Sequence, residues 1–321
     1  MVDLNAGDGD PRIAVAVPCW NDGPFLLETL GSLRAEEDLE VMVVDDGSED
    51  SETREILTTI ESAGVRVLRQ SENRGLSAAR NRALEAASAP YFFPLDSDDL
   101  AVPGALGAMA DRLDESPAAG VCFGDYVEFG EREIFRAVPA ALDGYRLLYS
   151  NEYPVSSLFR REVLQRAGGW DTRRDALAAH EDWNLWLTLI EQGVGGVYLG
   201  TGRLSYARRI HGGRLAAAGR SRHTAFYAAL KANHPAVFGS ASEYRRRSTL
   251  SPLRRLLYPY LYGGRKRWPI EAKVKEELDR RGLWTLTAEP PPEQRRLLQV
   301  ALDNAARGPA TFAAAARDAE V

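Results

Sequence analysis

The sequence is short of several things, and each shortage narrows what the chain does. It has two cysteines in 321 residues, Cys19 and Cys122, both inside apolar runs. That argues against a disulfide framework and suits a reducing compartment. No stretch reaches the roughly 18 consecutive apolar residues of a membrane span. The N-terminus lacks the basic-then-apolar pattern of a signal peptide, and the polar stretch Met1 to Asp10 reads as a loose leader. These features predict a cytoplasmic protein. The net charge of -6 gives no global reason to expect a nucleic-acid partner. No internal repeat is visible. The first strand-helix loop holds one glycine, Gly23, so the dinucleotide fingerprint G-x-G-x-x-G and the P-loop are both missing. A nicotinamide dehydrogenase and a P-loop kinase are thereby disfavoured.

What remains is a β-loop-α alternation. Apolar runs at 12–18, 39–44, 65–68 and 91–95 read as buried strands. Helical patterns at 24–35, 51–63 and 76–88 separate them, the first with Pro24 in its opening turn and the second closed by Gly64. Such alternation predicts an α/β fold with a mostly parallel, Rossmann-like sheet and helices on both faces. Beyond it, 103–114 reads as a helix led by Pro103. Residues 120–129 and 133–138 read as paired strands, and 180–192 as an amphipathic helix rich in tryptophan and leucine. After His234 the composition changes. Arg245-Arg246-Arg247, Arg254-Arg255 and Arg265-Lys266-Arg267 interleave with leucine, tyrosine and Trp268, and three of the four lysines (Lys266, Lys273, Lys275) fall there. A basic, aromatic stretch of this kind lies on an anionic membrane, or packs as a helical appendage on the main domain or a second copy. Pro290-Pro291-Pro292 reads as a linker, and Gly308-Pro309 predicts a break in the Ala-rich stretch that follows.

The chemistry concentrates in Pro94-Leu95-Asp96-Ser97-Asp98-Asp99-Leu100. Three carboxylates in four residues, at the carboxyl edge of a strand, repel one another unless a cation lies between them. They form either a divalent metal site for a phosphate-bearing ligand or an acidic turn that caps the next helix. Asp45 and Asp46 end the second strand. They can accept N–H groups of a base, or they form an Asp-Gly turn with no ligand.

In this order, the pieces resemble the family 2 glycosyltransferases of GT-A fold. Pro18-Cys19-Trp20-Asn21 stands where the family has its first nucleotide-contacting loop. Val43-Val44-Asp45-Asp46-Gly47-Ser48, Asn73-Arg74-Gly75-Leu76-Ser77-Ala78-Ala79-Arg80-Asn81 and Leu95-Asp96-Ser97-Asp98-Asp99 follow, then Gly169-Trp170-Asp171, Glu181-Asp182, Tyr206 and Arg209-Ile210-His211. The resemblance runs from Val17 to about His211. It implies an inverting, metal-assisted single displacement, from a nucleotide-diphosphate sugar (UDP first) to a hydroxyl of a glycan, lipid-linked or small-molecule acceptor. Work in cell-envelope polysaccharide biosynthesis goes with that implication.

The resemblance also implies roles. Asp98 is the Mn²⁺ or Mg²⁺ ligand, with His211 as a second ligand and Asp96 near the metal waters and ribose. Asp46 reads the base, and Pro18, Trp20, Asn21, Asp45, Asn73, Arg80 and Ser97 join it around the donor nucleotide. Asp182 is the general base, supported by Glu181. Trp170 and Asp171 line the acceptor pocket, Trp170 by stacking on a sugar. Asp99 caps the next helix. The expected division is a leader (1–10), a GT-A domain at 11–234 split into a nucleotide-binding half (11–100) and an acceptor-binding half (101–234), and a basic, mainly helical region at 235–321. Partners would be the nucleotide sugar and the acceptor, with membrane contact at the inner face or homodimerisation through the C-terminal region. Arg267-Trp268 echoes the Q-x-x-R-W element of processive members, but Gly264 replaces the glutamine and no span exists, which disfavours a polymer synthase. A sugar nucleotidyltransferase is the competing enzyme reading, although the first loop, Trp20-Asn21-Asp22-Gly23, has no lysine or arginine. A non-catalytic glycan- or nucleotide-binding module is the competing reading outside enzymes.

Overall fold

In the computed structural model, residues 10–33, 39–173, 180–212, 216–262, 274, 277 and 291–319 are described. The leader up to residue 9, Arg265 to Trp268, Lys273, Lys275 and Pro290 lie outside them. The chain opens as β1 (Ile13–Cys19), α1 (Gly23–Leu33), β2 (Leu39–Asp45), α2 (Ser51–Ser62), β3 (Arg66–Arg69), α3 (Leu76–Ala86) and β4 (Tyr91–Pro94). All four strands run parallel, β1 pairing with both β2 and β4, and β2 with β3. The reason is visible in β1. Ala14 and Ala16 pack into one core while Ile13, Val15 and Val17 pack into the other. A strand apolar on both faces belongs in the middle of a helix-covered sheet. The strand runs one residue past Pro18, which pairs with Val44. Its missing N–H falls beyond the β4 ladder, whose last pair is Ala16 with Pro94.

Next come β5 (Leu100–Ala101), α4 (Ala105–Asp114), β6 (Ala119–Phe123), β7 (Asp125–Gly130), β8 (Ile134–Arg136), α5 (Gly144–Leu147), β9 (Leu158–Arg160), α6 (Arg161–Ala167) and α7 (Glu181–Glu191). β10 (Gly195–Tyr198) and β11 (Leu204–Ile210) complete the strands. The main sheet has the order β10-β6-β9-β4-β1-β2-β3, and a second sheet the order β5-β11-β7-β8. The run at 120–129 is therefore not one strand of a hairpin. It changes sheets at Gly124, where a Cβ would come within 3.1 Å of Leu199 and Ser205. Only the second part, β7, pairs antiparallel with β8. Periodicity does not register a sheet change inside a continuous apolar run.

α8 (Ala216–Asn233), α9 (Pro235–Gly239), α10 (Ala241–Arg247), α11 (Pro252–Tyr262) and α12 (Pro292–Ala319) follow. Pro292 opens a helix rather than a linker. The break predicted at Gly308-Pro309 does not occur, because α12 is held against α1. A Cβ on Gly308 would sit 2.1 Å from the Leu27 carbonyl oxygen, and one on Gly31 2.9 Å from the Gly308 Cα. Burial of Phe312 in the core with Leu26 and Leu30 of α1 works against the proline's cost of about 3 kcal/mol. Tyr258 and Leu261 of α11 are buried in the core that also holds Trp170 and Trp186.

Candidate active site

The loops after β1 and β2 are stitched together before any ligand is considered. Asn21 has a left-handed backbone, φ 53°, and its side-chain oxygen accepts from the Glu49 and Asp50 N–H groups at 2.8 and 3.0 Å. The Asn21 N–H donates to Ser48 Oγ, and Asp45 Oδ1 accepts from the Ser48 N–H at 2.9 Å. Gly47 has φ 70°, and a Cβ there would meet the Glu72 carbonyl carbon at 2.4 Å, so glycine is what lets the Asn73 turn approach. Asp46 closes that turn. It accepts from Gln70 Nε2 and the Arg74 N–H on Oδ1, and from the Gly75 N–H on Oδ2, at 2.7 to 3.0 Å. The carboxylate expected to read a base is thus buried and engaged as the organiser of the 73–75 loop. Pro18, also expected at the nucleotide, is buried within β1, because the strand outlasts the proline. Trp20 is 51% exposed at the loop tip, so it is no core aromatic.

The acidic cluster follows β4. Carboxylate oxygens of Asp96, Asp98 and Asp99 lie within 4.8 Å of one another. The loop is held from below by Thr29 of α1, whose hydroxyl donates to the carbonyls of Ser97 and Asp99 at 2.7 and 2.8 Å. Ser97 Oγ donates to Asp22 at 2.9 Å. β11 closes the site from the far side. Arg209 donates its N–H to Asp99 Oδ1 and its Nε to the Asp98 carbonyl, both at 2.9 Å, while His211 Nε2 lies 2.9 Å from Asp98 Oδ2. Asp99 therefore does not cap the next helix. Residues 100–101 form β5 instead, and α4 begins after Gly104. Phe25 of α1 packs on the His211 ring at 5.0 Å, beneath the Arg209 guanidinium. Burial and the field of Asp98 raise the pKa of Asp22, which Ser97, His211 and Arg209 oppose. Clustered carboxylates with one imidazole make an oxygen-rich donor set that fits a hard divalent cation.

The third group is at the start of α7. Arg80 of α3 is 1% exposed and links it to the acidic cluster. Its Nη2 donates to Asp96 at 2.7 Å and its Nη1 reaches Glu181 at 3.5 Å. Arg80 thus neutralises carboxylates from both groups. Asp182 accepts from Asn151 Nδ2 at 3.0 Å and from the Trp183 N–H. Burial pushes the pKa of Asp182 up, against the fields of Arg80 and Arg208. Burial and the charge of Asp182 do the same for Glu181. A carboxylate with raised proton affinity, held at a helix start, suits general-base work.

Trp170 corrects an expectation. It is 1% exposed and packs against Phe92 and Phe159, so it offers no face to a sugar. The reason is Asn81, whose amide accepts from the Trp170 N–H and donates to its carbonyl, pinning the turn against α3. Asp171 is bound to Arg173, with Nε within 2.9 Å.

Residues 14–170 match the family model of Glycosyl transferase family 2. That stretch is a domain of this family. It is 29% identical over 176 residues to the uncharacterized glycosyltransferase EpsJ of Bacillus subtilis, covering 49% of this chain and 50% of that protein. The chain spans less than two thirds of the length of the curated relatives it matches. Among solved structures, Staphylococcus aureus TarS 1–349 in complex with UDP-GlcNAc superposes with a TM-score of 0.59 at 18% identity, over 96% of this chain and 92% of that one. The mannosyltransferase PcManGT from Pyrobaculum calidifontis, in complex with GDP-Man and Mn²⁺, gives 0.51 at 16% identity, over 93% and 87%. The fold is GT-A, as the resemblance implied.

In this chain, three residues of the site escaped the motifs. Asp22 lies beside the expected Asn21 and takes Ser97 as its donor. Asn151 sits in a stretch without a pattern, yet it holds Asp182. Arg208 is one of two adjacent arginines near the end of β11. Burial works against its cation, but Tyr206, Tyr126, Asp99 and Asp96 more than compensate, and its pKa rises.

Proposed function

We propose that this chain transfers a sugar with inversion from a nucleoside-diphosphate sugar to a hydroxyl of a glycan, lipid-linked or small-molecule acceptor. The observation that carries the reading is the Asp96–Arg80–Glu181 bridge. One buried cation connects the acidic cluster at the end of β4 to the carboxylates that open α7. Donor chemistry and acceptor chemistry then lie on either side of a single guanidinium. The nucleotide-binding half is 11–100, the acceptor-binding half 101–234, and the helices beyond 234 support both.

On this reading Asp98 and His211 would hold a Mn²⁺ or Mg²⁺ ion, and Asp96 belongs to the same acidic cluster. When bound, that cation neutralises charge that develops on the diphosphate leaving group. Asp182 takes the proton of the acceptor hydroxyl as its oxygen forms a bond to the anomeric carbon. The bond from that carbon to the diphosphate oxygen breaks, and its electron pair leaves with the diphosphate. Attack from the side opposite the leaving group inverts the centre. Glu181 and Asn151 fix the base, and Arg80 keeps the carboxylates together. Asp45, Trp20, Asn21, Asn73 and Ser97 surround the donor nucleotide, Asp46 by shaping the Asn73 turn. Asp171 faces the acceptor.

UDP sugars are the first donors to test, since TarS was solved with UDP-GlcNAc; GDP-mannose is second, after PcManGT. Acceptors in cell-envelope polysaccharide synthesis are the first to test with this family 2 domain. Two buried, free thiols support a cytoplasmic place. The test is turnover of UDP and GDP sugars with Mn²⁺, with and without acceptor. No turnover of any donor, together with no metal-dependent nucleotide binding, removes the reading.

A further inference from the structure

Behind the acceptor side, α10 and α11 carry five arginines against one glutamate. Arg245 and Arg246 are exposed and have no ion-pair partner among the described residues. They border a groove of about 660 Å³ whose lining includes Tyr145, Tyr149, Arg255 and Pro259. Beside it, α11 turns Tyr258, Leu261 and Tyr262 inward. Its outer face shows Leu253, Leu256 and Tyr260, exposed by 59%, 53% and 77%. Those three positions are spaced i, i+3, i+7, so they form one stripe. An apolar stripe bordered by unpaired arginines is the pattern of a helix lying in an anionic lipid interface. A lone exposed apolar side chain needs no explanation, but two leucines and a tyrosine on one helical face beside a cationic groove do.

The patch is joined to the acceptor carboxylate. Tyr145 Oη donates to the Arg255 carbonyl at 3.0 Å, and Asp143 Oδ2 accepts from Ser248 and Thr249. Both ties fasten α11 and the turn before it to α5. Asn151, which holds Asp182, follows Tyr149 by two residues, at most about 7 Å of chain.

We propose that the α10–α11 face docks on an anionic phospholipid surface, through Leu253, Leu256 and Tyr260 in the interface and Arg245 and Arg246 on the headgroup phosphates. Charge decides against a second copy as the occupant, because two such faces would bring their arginines together. Docked in this way, the chain would present Asp182 to acceptors that are anchored in the same membrane. The docking itself does not depend on the transfer reaction.

The test is co-sedimentation of the full chain with vesicles of phosphatidylcholine alone and of phosphatidylcholine with phosphatidylglycerol. Pelleting is expected with the anionic vesicles only, and it should weaken as salt screens the arginines. Arg245→Gln with Arg246→Gln should weaken binding about thirtyfold, at about 1 kcal/mol per arginine near the surface. Leu253→Gln with Leu256→Gln should also release the chain. All four side chains are solvent-facing or partly so, and circular dichroism melts check that the fold persists. UDP titration on the same variants should be unchanged, which separates this proposal from the donor reading. Absent or charge-independent pelleting overturns it. So does a dimer in solution that the leucine variants dissociate while vesicle binding stays absent.

Discussion

Arg80 and Asp96 are joined by a 2.7 Å charged hydrogen bond, and the arginine is almost fully buried. The same guanidinium reaches Glu181, so α3 neutralises a carboxylate at the start of α7. Burial opposes the Arg80 cation, but Asp96, Glu181 and Asp182 more than offset that and raise its pKa. Arg80→Leu leaves Glu181, largely buried, and Asp96, 32% exposed, without their counter-ion. Unfolding stability should fall by up to about 3 kcal/mol, the low end for breaking a buried pair from one side, because water screens Asp96. Denaturant melts check this, and Arg80→Lys should recover only part, since one ammonium cannot span both acids in the same way.

Asp182→Asn should lower kcat by about 10²–10⁴-fold, the usual contribution of a positioned base, while UDP affinity stays the same. Loss of UDP binding instead would remove its role. The pH profile adds a sign. The base works deprotonated, and burial raises its pKa above the ordinary carboxylate value. The acidic limb of kcat/KM should therefore lie above the ordinary aspartate range. It should move further up in a folded Arg80→Lys variant whose charge sits farther away. Glu181 and Asp182 share this limb, because the proton affinity of each depends on the charge of the other.

The alternation of strands and helices through β4 was legible because β1, β2 and β4 are largely buried apolar runs and α2 opens on the Asp50 cap. The acidic cluster was legible as charge crowding. What remained hidden depends on tertiary contact. Asp46 looked like a ligand-facing acid, but the Gly47 turn aims it at the backbone of Arg74 and Gly75. Trp170 looked like a sugar platform, but Asn81 pins it into the core. Asn151 carries no local signal at all, since its value comes from α7, 31 residues further on. The sheet change at Gly124 is a packing fact of Leu199 and Ser205.

His211→Ala should raise the Mn²⁺ concentration needed for half activity by about 10–100-fold, at least as much as the loss of an outer-shell partner of a metal ligand. Asp98→Ala should abolish metal-dependent UDP binding. Chelation of the wild type should reproduce the Asp98→Ala result, and Mn²⁺ should restore the wild type alone. Isothermal titration of UDP with and without Mn²⁺ reads all three. Equal metal dependence in His211→Ala would return that histidine to an ordinary loop residue.

Phe312 tests whether the C-terminal helix belongs to the site. It is fully buried in the core that also holds Leu26 and Leu30 of α1. Phe312→Ala should cost about 3–5 kcal/mol in a denaturant melt. α1 does more than pack, because Thr29 ties the acidic loop and Glu28 pairs with Arg209 at 2.5 Å. A loosened α12 should therefore weaken metal-dependent UDP binding as well as the fold. Gly308→Ala separates the two effects. Its Cβ would sit 2.1 Å from the Leu27 carbonyl oxygen, so α1 and α12 must move apart while every apolar side chain remains. If α12 braces the acidic loop through α1, Gly308→Ala should weaken UDP binding in the presence of Mn²⁺ under conditions where the variant is still folded. If α12 only adds buried area, melting will change and binding will not.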